Sequence, residues 1–123
     1  MRVLTILYVA NATLLLLHEI DSAYEKEWEI LKLPGKISGF LLIHVPIVAL
    51  LIYGIIPVYN NSRIGLAIAI VTGAGGVLPL MVHKLILPKQ GKFEGIVSNV
   101  IMYGNAAVAT IVLFLSIRLI LSH

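Results

Sequence analysis

ISGFLLIHVPIVALLIYGIIPVY, residues 37–59, holds one histidine and not a single Lys, Arg, Asp or Glu. An α-helix rises about 1.5 Å per residue, so about 20 apolar residues cross the ~30 Å hydrocarbon core of a bilayer. Three other stretches, residues 3–20, 63–87 and 93–121, are similarly long and apolar. None alternates in the manner of a barrel strand, and backbone polar groups in lipid must be paired internally, so each reads as a helix. The expected fold is all-α: a four-helix transmembrane bundle, with residues 1–123 forming one integral membrane domain.

Composition supports this reading. Hydrophobic residues make up 59% of the 123-residue chain and charged residues 12%, against roughly 25% charged in ordinary soluble domains; mean hydropathy is +1.01. Nine Lys and Arg with six Asp and Glu cannot coat a water-facing exterior, so lipid is the expected partner. The net charge of +3 comes from basic residues scattered singly between apolar segments, which argues against nucleic acid. With no cysteine, disulfides, thiolate metal sites and a cysteine nucleophile are excluded. The first segment lacks a small-residue cleavage site and runs into charged residues, so it is expected to be retained rather than removed as a signal peptide.

A charged connector, residues 21–36, separates the first two helices, and Pro57 with Asn60, Asn61 and Ser62 marks a tight turn before the third. Pro88 ends the third, and the polar loop 89–92 leads to the fourth. Four crossings put both termini on one side of the membrane. The opposite side carries Lys26, Lys32, Lys36, Lys84, Lys89 and Lys92, against Arg2, Arg63 and Arg118 on the terminal side. The positive-inside rule then makes the lysine side cytoplasmic in a multi-pass cell-membrane protein. Tyr24, Trp28 and Phe93 on that side and Tyr59 on the other suit interfacial positions.

Ionisable residues at membrane depth are costly and mark functional candidates. His18 lies near the end of helix one, His44 about seven residues into helix two and His83 near the end of helix three. Because the helices alternate in direction, all three fall within about two turns of the lysine side. Ser98 and Asn99 of helix four lie at the same level. Glu19 adjoins His18, and Asp21 follows three residues later on its face. Imidazoles and carboxylates are ligands for zinc, iron or manganese, and a bundle can draw them from separate helices. The metal candidates are therefore His18, His44 and His83, holding a divalent ion such as zinc or iron, with Asp21 or Glu19 as general base or as support for a ligating imidazole. The competing reading is histidines hydrogen-bonded to backbone at helix interfaces. A bis-histidine haem is the weaker metal alternative, since little chain remains to shield it.

Two other features stand out. Asn11 lies seven residues before His18 and Asn105 seven after Ser98, so each pair shares a face, suiting either interhelical hydrogen bonds or a polar lining leading inward. Gly73, Ala74, Gly75 and Gly76 with Pro79 suit either close packing with a proline kink or a local unwinding that opens a cavity. In the connector, Glu25, Glu27 and Glu29 alternate with Lys26 and Trp28, which suits a mostly solvated interfacial helix.

The run His18-Glu19-Ile20-Asp21-Ser22, continuing to Glu27-Trp28 and followed by Gly39 to Pro46 with His44-Val45-Pro46, resembles an uncharacterised family of short prokaryotic membrane proteins. That family shows a His-Glu-Leu-Asp-Ala stretch, a Glu-Trp pair and a His-x-Pro in the next helix. The resemblance covers roughly the first half of the chain and points to His18, Glu19, Asp21, Glu27, Trp28, His44 and Pro46; it supplies no reaction. Three functions remain open: a metal-dependent enzyme acting on a lipid or amphiphile; a protein that binds or transports a small ligand, proton or ion, in one form as a homo-oligomer; and an accessory subunit for a membrane partner, whose polar residues only set packing.

Overall fold

The computed structural model describes residues 3–86 and 95–123. Arg2, Pro88, the loop 89–92 and Phe93, on which some expectations rest, lie outside them. The described chain is helical without strands: α1 Val3–Tyr24, α2 Glu27–Ile30, α3 Lys36–Tyr53, α4 Ile55–Tyr59, α5 Arg63–Leu80 continuing as a π-helix over Met81–Ile86, and α6 Ile96–Leu121. Four helical stretches are long and apolar enough to cross a membrane: Val3–Tyr24, Lys36–Tyr59, Arg63–Leu85 and Ile96–Leu121. Their outer surface is apolar, with Leu42, Ile56, Val97 and Phe114 all more than 60% exposed. Such a surface suits lipid and not water.

The boundaries differ from expectation in three instructive ways. Helix α1 runs four residues past Ile20, to Tyr24, so Asp21 and Ser22 ride on the same helix as His18. The second span runs from Lys36 to Tyr59 but loses one helical hydrogen bond near Gly54, between α3 and α4, because Pro57 has no N–H to give the Tyr53 carbonyl. The Tyr8 hydroxyl donates to the Leu51 carbonyl at 2.9 Å beside this point. A Cβ on Gly54 would stand 2.2 Å from the same hydroxyl, so only glycine admits it. In the third span, α5 passes directly into the π-helix after Pro79.

The α4–α5 turn has local causes. Asn61 takes a left-handed φ of 54°, and the Ser62 hydroxyl caps α5 by accepting from the Gly65 N–H at 3.0 Å. His123 Nε2 lies 3.1 Å from the Asn61 carbonyl, so the C-terminus and this turn share one end of the bundle.

The core is built mainly from α1, α5 and α6. At the terminal end Leu4, Tyr8, Val58, Leu66, Ala69 and Val112 form one buried cluster. The buried residues of α6, among them Met102, Asn105, Ala109, Val112 and Ser116, recur at helical spacing and make one stripe. A Cβ on Gly73 would stand 2.9 Å from Leu113 Cγ, and one on Gly76 2.7 Å from Ala109 Cβ. These glycines let α5 and α6 approach closely, as small residues do in membrane helices. Helix α3 is different: only Phe40 and Leu51 are buried, and among the described residues no extended seam joins it to α5.

Candidate metal centre

Position on three elements brings the first group together. His18 lies on the buried stripe of α1 with Leu15 and Ser22. Past Tyr24 the chain reverses at Lys26, whose φ of 54° is left-handed, and the single turn of α2 then aims Glu27 back at the bundle. His83 comes from the π-helical turn, where the wider backbone follows the missing N–H of Pro79.

One ligand atom from each of His18, Glu27 and His83 lies within 4.8 Å of the others. His83 Nε2 and Glu27 Oε1 are 2.9 Å apart, and the two imidazole centroids are 5.4 Å apart. His18 is 1% exposed and His83 5%. Ser22 Oγ shares a hydrogen bond of 3.1 Å with His18 Nε2 and also bonds the Glu27 carboxylate. Burial pushes the Glu27 carboxyl up, but hydrogen bonds from His83 and Ser22 outweigh it and hold the group below its ordinary value of 4.5. Two imidazoles and one carboxylate form a recognised donor set for zinc, and for iron(II) when they occupy one face of the ion. Donors around zinc at about 2.0–2.1 Å stand roughly 3.3 Å apart, so side-chain adjustments would close the group on an ion.

A second pair stands beside the first. His44 Nδ1 lies 2.7 Å from the Phe40 carbonyl, which can only accept, so Nδ1 carries hydrogen. His44 Nε2 in turn hydrogen-bonds Glu19 Oε2. One proton is therefore shared between them: either an imidazolium faces a carboxylate, or a neutral imidazole accepts from a carboxylic acid. The Phe40 ring, centroid 4.1 Å from that of His44, shields the pair.

The sequence-derived candidates thus divide. His18 and His83 meet; His44 stands with Glu19, outside the group of three. Asp21 lies on α1 with one carboxylate oxygen buried and without a hydrogen-bond partner. Asn99 donates to the Gly95 carbonyl at 3.0 Å, a local helix-end contact. Glu27, read from composition as part of a solvated face, turns inward instead, its side chain 12% exposed, while Trp28 packs on Phe40. The signal that singles out Glu27 is the Glu-Trp pair of the family resemblance. Deeper in the bundle, Asn11 donates to the Thr72 carbonyl at 3.0 Å, an interhelical bond, and Asn105 is fully buried.

Both groups face one cavity of about 520 Å³ between α1, α3 and α5. His18, Glu19, Glu27 and His44 line its outer part, and Leu15, Ile47, Leu51, Val71 and Leu78 are among the apolar residues lining the rest. A pocket of this size with a few convergent polar groups has the character of a small-molecule site.

The model of a family of unknown function, DUF6713, matches residues 4–119. No curated protein and no solved structure matches the chain.

Proposed function

The chain belongs to DUF6713, a family of unknown function, and from its site we propose that it is a metal-dependent membrane enzyme hydrolysing a lipid or amphiphile. The observation that carries this reading is the convergence of His18, Glu27 and His83 within 4.8 Å at the polar part of an otherwise apolar cavity. These three residues are the ligand set, and the ion, zinc or iron(II), would supply Lewis acidity and an acidified water. Ser22 orients His18 and Glu27. The Glu19–His44 pair, holding one shared proton, accepts a proton from the attacking water and returns one to the leaving group. Apolar walls keep bulk water away from the reacting end. The lysine-rich end, which holds the site, is the cytoplasmic one in this reading.

Treating the purified protein with chelator and then measuring release of product from long-chain esters tests it. The reading predicts loss of turnover on chelation and recovery with zinc or iron(II); turnover indifferent to chelator would overturn it. A second reading, a carrier that captures an amphiphile without chemistry, is favoured by the largely apolar cavity. It predicts saturable binding with no turnover.

A further inference from the structure

The shape of the cavity narrows the class of ligand. Its lining runs from Val71 on α5 to Val82 in the π-helical turn that follows, a rise of about 16 Å at ~1.5 Å per residue. A volume of about 520 Å³ is of the size that takes one small molecule, and falls well short of a two-chain phospholipid. The polar groups are confined to one part of it: His18 and Glu19 near the end of α1, Glu27 on α2 and His44 in the first half of α3. Two turns further along α3 the lining is Leu50 and Leu51, and α5 adds Val71. Leu31 and Leu33 line the outer end, adding apolar surface on the side where water would approach. No extended seam joins α3 to α5 among the described residues, and α3 presents Leu41, Leu42 and Val45 outward.

We infer that the cavity takes a single-chain amphiphile, entering sideways from the bilayer between α3 and α5, with its tail along α5 toward Val71 and its oxygen-bearing head at the histidines. This rests on the proposed function only for which end of the ligand faces the histidines; the limit to one single-chain molecule rests on the cavity volume.

Gly75 offers a way to test it. It lines the cavity midway along α5, and a Cβ there would meet only Leu15 Cδ2 at an ordinary 3.8 Å. The first atom of a larger side chain is therefore accommodated there, and leucine is the substitution chosen to take up cavity space. The protein is reconstituted in dioleoylphosphatidylcholine nanodiscs, and binding of labelled octanoic, lauric, palmitic and stearic acids is measured beside metal content. The expected result is saturable binding that strengthens from octanoic to lauric acid and levels off beyond, where the tail outruns the ~16 Å lining, unaffected by excess two-chain phospholipid. Gly75→Leu should weaken palmitic acid about tenfold, the loss expected when about two methylenes are kept out of an apolar site, and octanoic acid little. Val71→Phe, at the deep end, should weaken lauric and palmitic acid more than octanoic acid and serves if Gly75→Leu folds poorly. Non-saturable binding, or a tail-length profile indifferent to both substitutions, overturns the inference even if metal is present. The expected profile in a protein that binds no metal would uphold the channel and remove the metal-dependent reading instead.

Discussion

His83 Nε2 and Glu27 Oε1 stand 2.9 Å apart across a sequence separation of 56 residues, joining a one-turn helix outside the spans to the π-helical end of the third span. The contact gives the two histidines a carboxylate partner. It is the hinge of the account, because without Glu27 the group is two imidazoles and no facial set of three.

Glu27 also sets a pH dependence. Its carboxyl lies below the ordinary 4.5 in the fold, so the folded protein holds that proton less tightly than the unfolded chain. The stabilisation is complete above about pH 4.5 and is lost as pH falls through the lowered folded value. Thermal unfolding of chelator-treated protein should therefore show a midpoint that drops on acidification below about pH 4.5, with a shallower drop in Glu27→Gln. Parallel profiles would refute this.

The Glu19–His44 pair is predicted to serve chemistry and not metal retention. His44→Ala and Glu19→Gln should each keep the metal while lowering turnover by about 10²–10⁴-fold, the usual worth of a positioned acid or base. Metal analysis and single-turnover kinetics on the same preparations check both halves of the statement.

Helix packing makes a contrast between neighbours. A Cβ on Gly76 would lie 2.3 Å from Asn11 Oδ1 and 2.7 Å from Ala109 Cβ, whereas one on Gly75 meets only Leu15 at 3.8 Å. Gly76→Ala should cost about 1–3 kcal/mol, the range for overpacking, and Gly75→Ala should be close to neutral. Unfolding in mixed micelles, compared at equal detergent composition, distinguishes the two.

Much of the architecture is legible in the amino-acid sequence. The four spans followed from hydrophobic length, since lipid leaves the backbone few alternatives. The shared level of His18 and His83 followed from alternating helix direction, and Gly73 and Gly76 were already readable as a packing surface. What escaped reading depends on single dihedral angles and local register. The left-handed φ of Lys26 turns Glu27 inward, and lysine is not a residue whose presence announces such a turn. The π-helix redirects His83, and nothing in MVHKLI distinguishes it from an α-helix. His44 paired with Glu19 rather than with the other histidines because its Nδ1 is committed to the Phe40 carbonyl, a rotamer choice invisible to spacing.

Sidedness has a clean test, since the chain contains no cysteine. Single cysteines at Glu29 and at Ser122, both exposed, would report opposite faces to a membrane-impermeant maleimide. Glu29→Cys should label only in inverted vesicles and Ser122→Cys only in intact cells; the reverse pattern would place the site on the outer face.

The most direct test of the central claim is elemental analysis of protein purified without chelator, beside His18→Ala, Glu27→Gln, His83→Ala and His44→Ala variants shown to be folded. The account predicts close to one zinc or iron per chain in the wild type and in His44→Ala, and near-complete loss in the other three. No metal in the wild type, or metal retained when Glu27 is replaced, would contradict it.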